Sequence, residues 1–326
     1  IHDTYGSFIS SLRRCITHRN WMCLRLRLLL LLRKWVGERA LKPAARILLG
    51  KHHYDCVIGF RLGICSDLAA YSVQAERKIT WWHHGEFNVD QTAYANMCEK
   101  MDALAVVSHA CEEMLQRALP GLADKMVCIP NMLDAEAIRQ KAVSSPYADG
   151  MLHIVSVGHL VPEKHFENVI PAAKALRESG TDFVWHIVGE GPERTKLEVL
   201  IADSGLESHV VLEGSKTNPY PYMKYAQLFV HPSYVESQGL TVLEAMALGV
   251  PCVVTKSRGP CEFIQDGVNG LLTEQSSESL TARVLEILND KALYQRIREN
   301  TKCPKQFSPE RIMKQIEALI DGEKQL

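Results

Sequence analysis

None of the ten cysteines stands in a Cys-x-x-Cys pair, which removes the commonest zinc and dithiol signatures. They are scattered, several of them inside apolar runs such as YDCVIG and MVCIP, a distribution that fits a reducing cytoplasm better than a disulfide scaffold. Long apolar runs are missing too. In WMCLRLRLLLLLRKW (21–35) only five consecutive apolar residues stand between charges, against the roughly 20 that a membrane-spanning helix needs. Trp21, Leu24, Leu28, Leu31 and Trp35 recur there at helical spacing. The expectation is a helix docked on the core, with an interfacial helix facing anionic lipid as the sharper alternative. No short apolar core with a small-residue cleavage site follows Ile1, so the start does not read as a signal peptide, and the chain is expected to be a fragment. Net charge is nearly absent, formally −1, and no global field toward nucleic acid is implied. That charge is unevenly spread, because residues 1–55 hold eleven Lys/Arg against three Asp/Glu and form a basic N-terminal region. Internal repeats are also lacking.

What is present is the composition of an ordinary globular protein, 46% hydrophobic and 23% charged. Its 326 residues suffice for two domains of about 150 residues, each with its own core. Short apolar runs alternate with amphipathic stretches: YDCVIG (54–59), ITWW (79–82), ALAVVS (103–108), MVCIP (126–130), LHIVSVG (152–158), FVWHIVG (183–189), HVVLEG (209–214), QLFVHPS (227–233) and PCVVT (251–255). Between them lie helix-like segments; in one, Phe166, Val169, Ile170, Ala173 and Leu176 share a face that ends at Gly180. Such alternation predicts an α/β protein built of parallel sheets with helices on both faces, whose ligands bind beyond the carboxyl ends of the strands. The polar stretch SSPYADG (144–150) marks the expected division between a domain at 1–148 and a second at 149–305. A last helical segment within 306–326 has no partner fixed by sequence, and a return to the first domain is one expectation for it.

Two segments carry chemistry. Strand 152–158 ends in GHLVPEKH (158–165), where Gly158 lets the backbone approach a ligand and Lys164 falls near a helix start. Amides and dipole at such a start attract anions, and a lysine there makes a phosphate site. Taken singly, a strand-glycine-lysine-helix segment is more often a plain connection. In YVESQGLTVLEAMALGVPCVVT (234–255), Glu236 and Glu244 bracket a glycine turn. A helix opened by Thr241 would leave the amides of Gly239, Leu240 and Thr241 free, with a carboxylate on either side able to accept from the hydroxyls of a sugar or ribose. Acidic pairs at this spacing are common as solvated residues or caps; the combination is stronger than its parts.

The run through SVGHLVPEK, HIVGEGPE, VVLEGSKTNPYPYM, LFVHPS, EAMALGVPCVV and GPCEFIQDGVNGLL resembles the retaining glycosyltransferases of family four. That resemblance implies the GT-B architecture, two Rossmann-like parallel-sheet domains facing across a cleft. It also implies that Glu236 holds hydroxyls of the transferred sugar and Glu244 the ribose, while Lys164 and the amides around Gly239, Leu240 and Thr241 take the diphosphate. The loops holding Gly189 and Gly214 would border the nucleobase. A looser likeness in ITWWHHGEF and IPNMLD carries a sugar-contacting histidine onto His83 or His84, and the match can be made to either.

Where the family has Gly-Arg-Leu, this chain has Gly158-His159-Leu160. Histidine is mostly neutral near pH 7 and lacks the guanidinium fork, so phosphate binding should be weaker or compensated elsewhere, with Arg258 one candidate substitute. The family's opening strand and glycine-rich acceptor loop are expected to precede Ile1. A DxE string at Asp134-Ala135-Glu136 is read as a helix N-cap rather than a metal motif. The reading is a metal-independent enzyme without a cofactor, using a nucleoside diphosphate sugar, expected to be UDP-linked, as co-substrate. It would transfer a hexose or N-acetylhexosamine to a saccharide or lipid-linked saccharide on the cytoplasmic side, with peripheral contact to an anionic membrane and no nucleic acid. A nucleotide-sugar epimerase of the same architecture and a non-catalytic nucleotide-sugar-binding module are the alternatives.

Overall fold

The computed structural model describes residues 52–323, and beyond them only Trp21, Pro43 and Ile47, each in helical conformation. The helix expected at 21–35 and most of the basic region therefore lie outside the described residues. The first series of elements is β1 (His53–Gly59), α1 (Ile64–Tyr71), β2 (Gln74–Trp82), α2 (Gln91–Cys98), β3 (Ala103–Val106), α3 (His109–Ala118) and β4 (Met126–Cys128). Its strands form one parallel sheet in the order β1-β2-β3-β4. The helices begin where short polar side chains can close them. Asp90 accepts from the Ala93 amide and Ser108 from that of Cys111, each satisfying an N–H that has no intrahelical partner. All four residues of β3 are buried, the continuous apolar pattern of a strand covered on both faces.

The second series runs α4 (Ala135–Lys141), β5 (Leu152–Val157), α5 (Val169–Glu178), β6 (Phe183–Val188), α6 (Arg194–Asp203), β7 (Val210–Gly214), α7 (Tyr220–Lys224), β8 (Leu228–His231), α8 (Leu240–Ala247), β9 (Cys252–Thr255), β10 (Leu271–Thr273), α9 (Ser277–Asn289), α10 (Lys291–Asn300) and α11 (Pro309–Asp321). Six parallel strands stand in the order β10-β9-β8-β5-β6-β7. Each of the nine apolar runs holds a strand; β10, three residues long, was not expected. Asp134 of the DxE string caps α4, its carboxylate accepting from the Ala137 amide at 2.9 Å. One buried polar device braces the sheet: Trp185 on β6 donates to the Ser156 hydroxyl of β5 at 3.1 Å, which donates in turn to the Val230 carbonyl of β8 at 2.7 Å.

Packing departs from chain order at two places. Leu133 and Ile138 pack in the core of the second sheet with Phe229, Val242 and Met246, so the chain changes halves before the polar stretch at 144–150. Ile312 and Leu319 of α11 pack among Trp82, Leu104 and Leu115 of the first half, where Arg77 donates to the Leu319 carbonyl at 2.7 Å. Among the described residues no helix is long and apolar enough to cross a membrane.

The strand order locates the site. From β5 the chain adds β6 and β7 on one side, then returns to add β8, β9 and β10 on the other. The reversal lies between β5 and β8, and a crevice opens beyond the carboxyl ends of strands that part in this way.

Candidate functional site

That crevice faces the carboxyl ends of the first sheet, and the two enclose a cleft of ≈ 670 Å³. Gly158, His159 and Lys164, which follow β5, line it together with Glu236, Gly239, Leu240 and Thr241, which lie between β8 and the first turn of α8. His83 and His84 line it from the end of β2. Nine of the residues singled out in the sequence thus meet in one cavity. Gly189, Gly214 and Glu244 do not line it.

Lys164 is placed by a turn rather than by a helix start. Pro162–Lys164 form a 3-10 turn, His165 follows in the left-handed region at φ 46°, a second 3-10 turn covers Phe166–Asn168, and α5 opens only at Val169. The loop after β8 holds this turn. The Tyr234 amide and the Ser233 hydroxyl both donate to the Glu163 carbonyl, each at 3.2 Å, and the His165 and Tyr234 rings stack at 3.8 Å. Glu236 therefore comes close enough to accept from Lys164 Nζ, and the same oxygen, Oε1, accepts from His231 Nε2 at 2.8 Å. Burial by itself would raise the Glu236 carboxyl. The hydrogen bond and charge of His231, joined by those of Lys164, outweigh it and hold the group at about 2. An ammonium has three donors and a carboxylate two acceptor oxygens, so after this pairing Lys164 keeps two N–H groups and Glu236 keeps Oε2.

Helix α8 opens at Leu240, one residue ahead of expectation, with Gly239 at φ 81° as its N-cap. A side chain at Gly239 would be strained in that conformation and would meet Pro260 at 2.6 Å. First-turn amides have no intrahelical acceptor, and those of Leu240 and Thr241 lie at the cleft wall. Glu244 is a turn further along, out of the cleft lining, where it accepts from the Tyr220 hydroxyl at 3.1 Å. Burial raises its carboxyl, only partly offset by that hydrogen bond. Gly189 and Gly214 sit beside Gly158 at the ends of three adjacent strands: the Gly158 amide donates to the Val188 carbonyl and the Gly189 amide to that of Gly214, both at 3.0 Å.

The two histidines differ. His83 is half-buried, its ring 4.7 Å from that of Phe60, and its Nε2 has no partner in the protein. Burial lowers its pKa, against a backbone hydrogen bond at Phe60 that raises it, so the ring is neutral near pH 7. His84 is exposed, and its carbonyl accepts from Trp82 Nε1 at 2.6 Å. The Gly85 that follows allows close approach of the halves, since a β-carbon there would stand 2.9 Å from Val235 and 3.0 Å from the Glu236 backbone. Arg258 lies outside the cleft, in an adjoining recess beyond Glu236, and donates to the Gly85 carbonyl at 3.2 Å. Among the described residues, the group able to hold a metal ion, His109 with Glu112 and Cys128, has no member in the cleft lining.

Several lining or supporting residues were not singled out in the sequence. His231 is one, although its place at the carboxyl end of QLFVHPS was a signal. Phe60 and Arg61 after β1 are others. Gln238 and Asn131 clasp the halves: Gln238 Oε1 accepts from the Asn131 amide and side chain, both at 2.7 Å, and its Nε2 donates back to the Asn131 carbonyl at 3.1 Å.

Two parallel-sheet halves that face each other across a cleft at the carboxyl ends of their strands are the architecture of the GT-B glycosyltransferases. Residues 139–303 match the family described as Glycosyl transferases group 1, about half of the chain, and the protein belongs to it. Among curated relatives, it is 33% identical over 142 residues to a poly(ribitol-phosphate) alpha-N-acetylglucosaminyltransferase of Staphylococcus aureus, covering 42% of this chain and 29% of that protein. It is 34% identical over 147 residues to the lipopolysaccharide core biosynthesis glycosyltransferase LpsE of Rhizobium meliloti, covering 45% of this chain and 42% of the relative. The chain thus spans less than half the length of either. Anabaena Alr3699/HepE, solved with UDP and glucose, superimposes with a TM-score of 0.75 at 20% identity, covering 89% of this chain and 83% of its own, a likeness of fold.

Proposed function

We propose that the protein is a retaining glycosyltransferase that moves a hexose or N-acetylhexosamine from a nucleoside diphosphate sugar to a hydroxyl acceptor. The observation that carries this reading is Glu236 at the strand reversal, ionised and pinned through one oxygen by Lys164 and His231, beside the free amides that open α8. In the proposed complex the two remaining N–H groups of Lys164 and the amides of Gly239, Leu240 and Thr241 take the diphosphate, and Glu236 Oε2 accepts a hydroxyl of the transferred sugar. As the bond from sugar to phosphate breaks, negative charge grows on the diphosphate. Fixed donors stabilise that charge more than the ground state, and this difference lowers the barrier. His83, neutral and with Nε2 unpartnered, is the histidine we assign to the sugar from the opposite wall. Glu244 on α8 and the strand-end loops at Gly189 and Gly214 are assigned to the ribose and the base, which requires the nucleoside to extend past the cleft lining along α8 and β6. UDP is the expected carrier, a nucleotide present with the structurally similar Anabaena protein, and the named activities of the relatives favour a saccharide or polyol-phosphate acceptor. No cofactor or metal ion is assigned a role.

The test is product analysis with a panel of UDP-sugars and saccharide acceptors. Transfer should be seen, with Glu236→Gln lowering turnover by roughly 100-fold while nucleotide affinity changes little, and Lys164→Ala impairing both. Conversion of the donor without any acceptor would instead identify an epimerase, and binding without turnover a carrier of nucleotide sugar.

A further inference from the structure

We propose that His109, Glu112 and Cys128 form a binding site for a divalent transition metal, zinc being the ion their donors suit, on the first half of the molecule and outside the cleft. The placement follows from local structure. His109 and Glu112 are three residues apart in the opening turns of α3, so they share a helix face. Cys128 is the last residue of β4, the strand packed beneath that helix. Their ligand atoms all lie within 4.8 Å of one another, with His109 Nδ1 and Glu112 Oε2 3.3 Å apart. Zinc takes nitrogen and oxygen at about 2.0–2.2 Å and sulfur at about 2.3 Å, which puts tetrahedral ligand atoms roughly 3.3–3.8 Å from each other. The histidine and glutamate already stand at that spacing, and the sulfur has to approach by about 1.5 Å at most. The His109 side chain, 76% exposed, is free to turn toward it.

One imidazole, one carboxylate and one thiolate are a mixed nitrogen, oxygen and sulfur set of the kind zinc accepts, with the fourth position left to water. The surroundings supply independent support. His109 and Cys128 line a cavity of ≈ 470 Å³ together with Glu262 and Gln315. Glu262 reaches across from the second half, and its Oε1 accepts from the Ala110 amide at 2.7 Å. Arg311 on the same wall opposes a cation, but two carboxylates and a thiolate outweigh it. Burial, with the charges of Glu262, Glu112 and Cys111, pushes the Cys128 thiol up to about 12, so without a cation it stays protonated. On binding, the S–H proton passes to the buffer and the sulfur pairs with the metal, giving a thiolate, a carboxylate and a divalent ion with no net charge.

Cobalt(II) added to chelator-treated protein tests this by spectroscopy. The expected result is a sulfur-to-cobalt charge-transfer band that saturates at one equivalent, disappears in Cys128→Ser and weakens in His109→Ala, whose affinity should fall roughly tenfold or more. Zinc should raise the melting temperature of the unaltered protein by mass action and raise that of either variant by less. His109 is exposed, so His109→Ala keeps its fold and the comparison survives even if Cys128→Ser does not. No charge-transfer band, or a band of equal strength in both variants, would overturn the site. Neither residue touches the cleft, so UDP binding in these variants should be unchanged whether or not the metal binds.

Discussion

At the scale of single residues the site turns on how Glu236 is ionised. Its carboxyl titrates at about 2 in the fold against an ordinary 4.5. The stabilisation from its pairing with His231 and Lys164 is therefore fully present above pH 4.5 and is lost as the pH falls through about 2. The shift corresponds to about 3 kcal/mol. The stability difference between the unaltered protein and Glu236→Gln, from urea unfolding, should accordingly shrink between about pH 5 and pH 2; a difference independent of pH would show that the pair contributes nothing. His159 offers the converse experiment. It lines the cleft and is exposed, so His159→Arg places a permanent charge and a donor fork beside the assigned diphosphate position. Calorimetry should show UDP binding tightened by roughly threefold or more, and unchanged or weaker binding would remove His159 from the phosphate contacts. Glu236 and Lys164 could be singled out in the sequence because their two segments occur together and in the order of a known family, although neither residue is unusual by itself. His231 could not be, since a histidine closing a buried strand looks like packing until its partner is placed.

Elements carry the positioning. The reversal between β5 and β8 puts the Lys164 turn and the Glu236 loop side by side, and close contact among strand ends keeps them there. Gly189 is the tightest point: a β-carbon on it would stand 1.8 Å from the Gly158 carbonyl oxygen, and that atom belongs to backbone that cannot rotate away. Gly189→Ala should therefore cost about 3 kcal/mol or more, read as a fall in the urea midpoint with an unchanged slope. A cost below about 0.5 kcal/mol would mean the strand ends are looser than drawn. Strands β1 to β9 could be read from their apolar runs because parallel strands buried on both faces need such runs. β10 brings only two apolar residues, Leu271 and Leu272, too few to show a pattern. The helix expected to begin near Lys164 is two 3-10 turns because His165 takes the left-handed conformation, which no periodicity reports.

Over the whole molecule the claim is that two halves cooperate on one ligand. The alternation of strands and helices announced two sheets, but the half on which each connecting segment packs depends on contacts far apart in the chain. Leu133 and Ile138 join the second core before the polar stretch, and α11 returns to the first. The clasp of Gln238 on Asn131 and the bond from Arg258 to Gly85 hold the halves so that His83 faces Lys164 and Glu236 across the cleft. The arrangement has a direct test in calorimetric titration of UDP into the unaltered protein and into Lys164→Ala. Binding should be saturable at one site and weakened at least about tenfold by the substitution, since a charge-assisted contact to phosphate is worth roughly 1.5–3 kcal/mol. Absence of binding, or equal affinity in the two proteins, would contradict it.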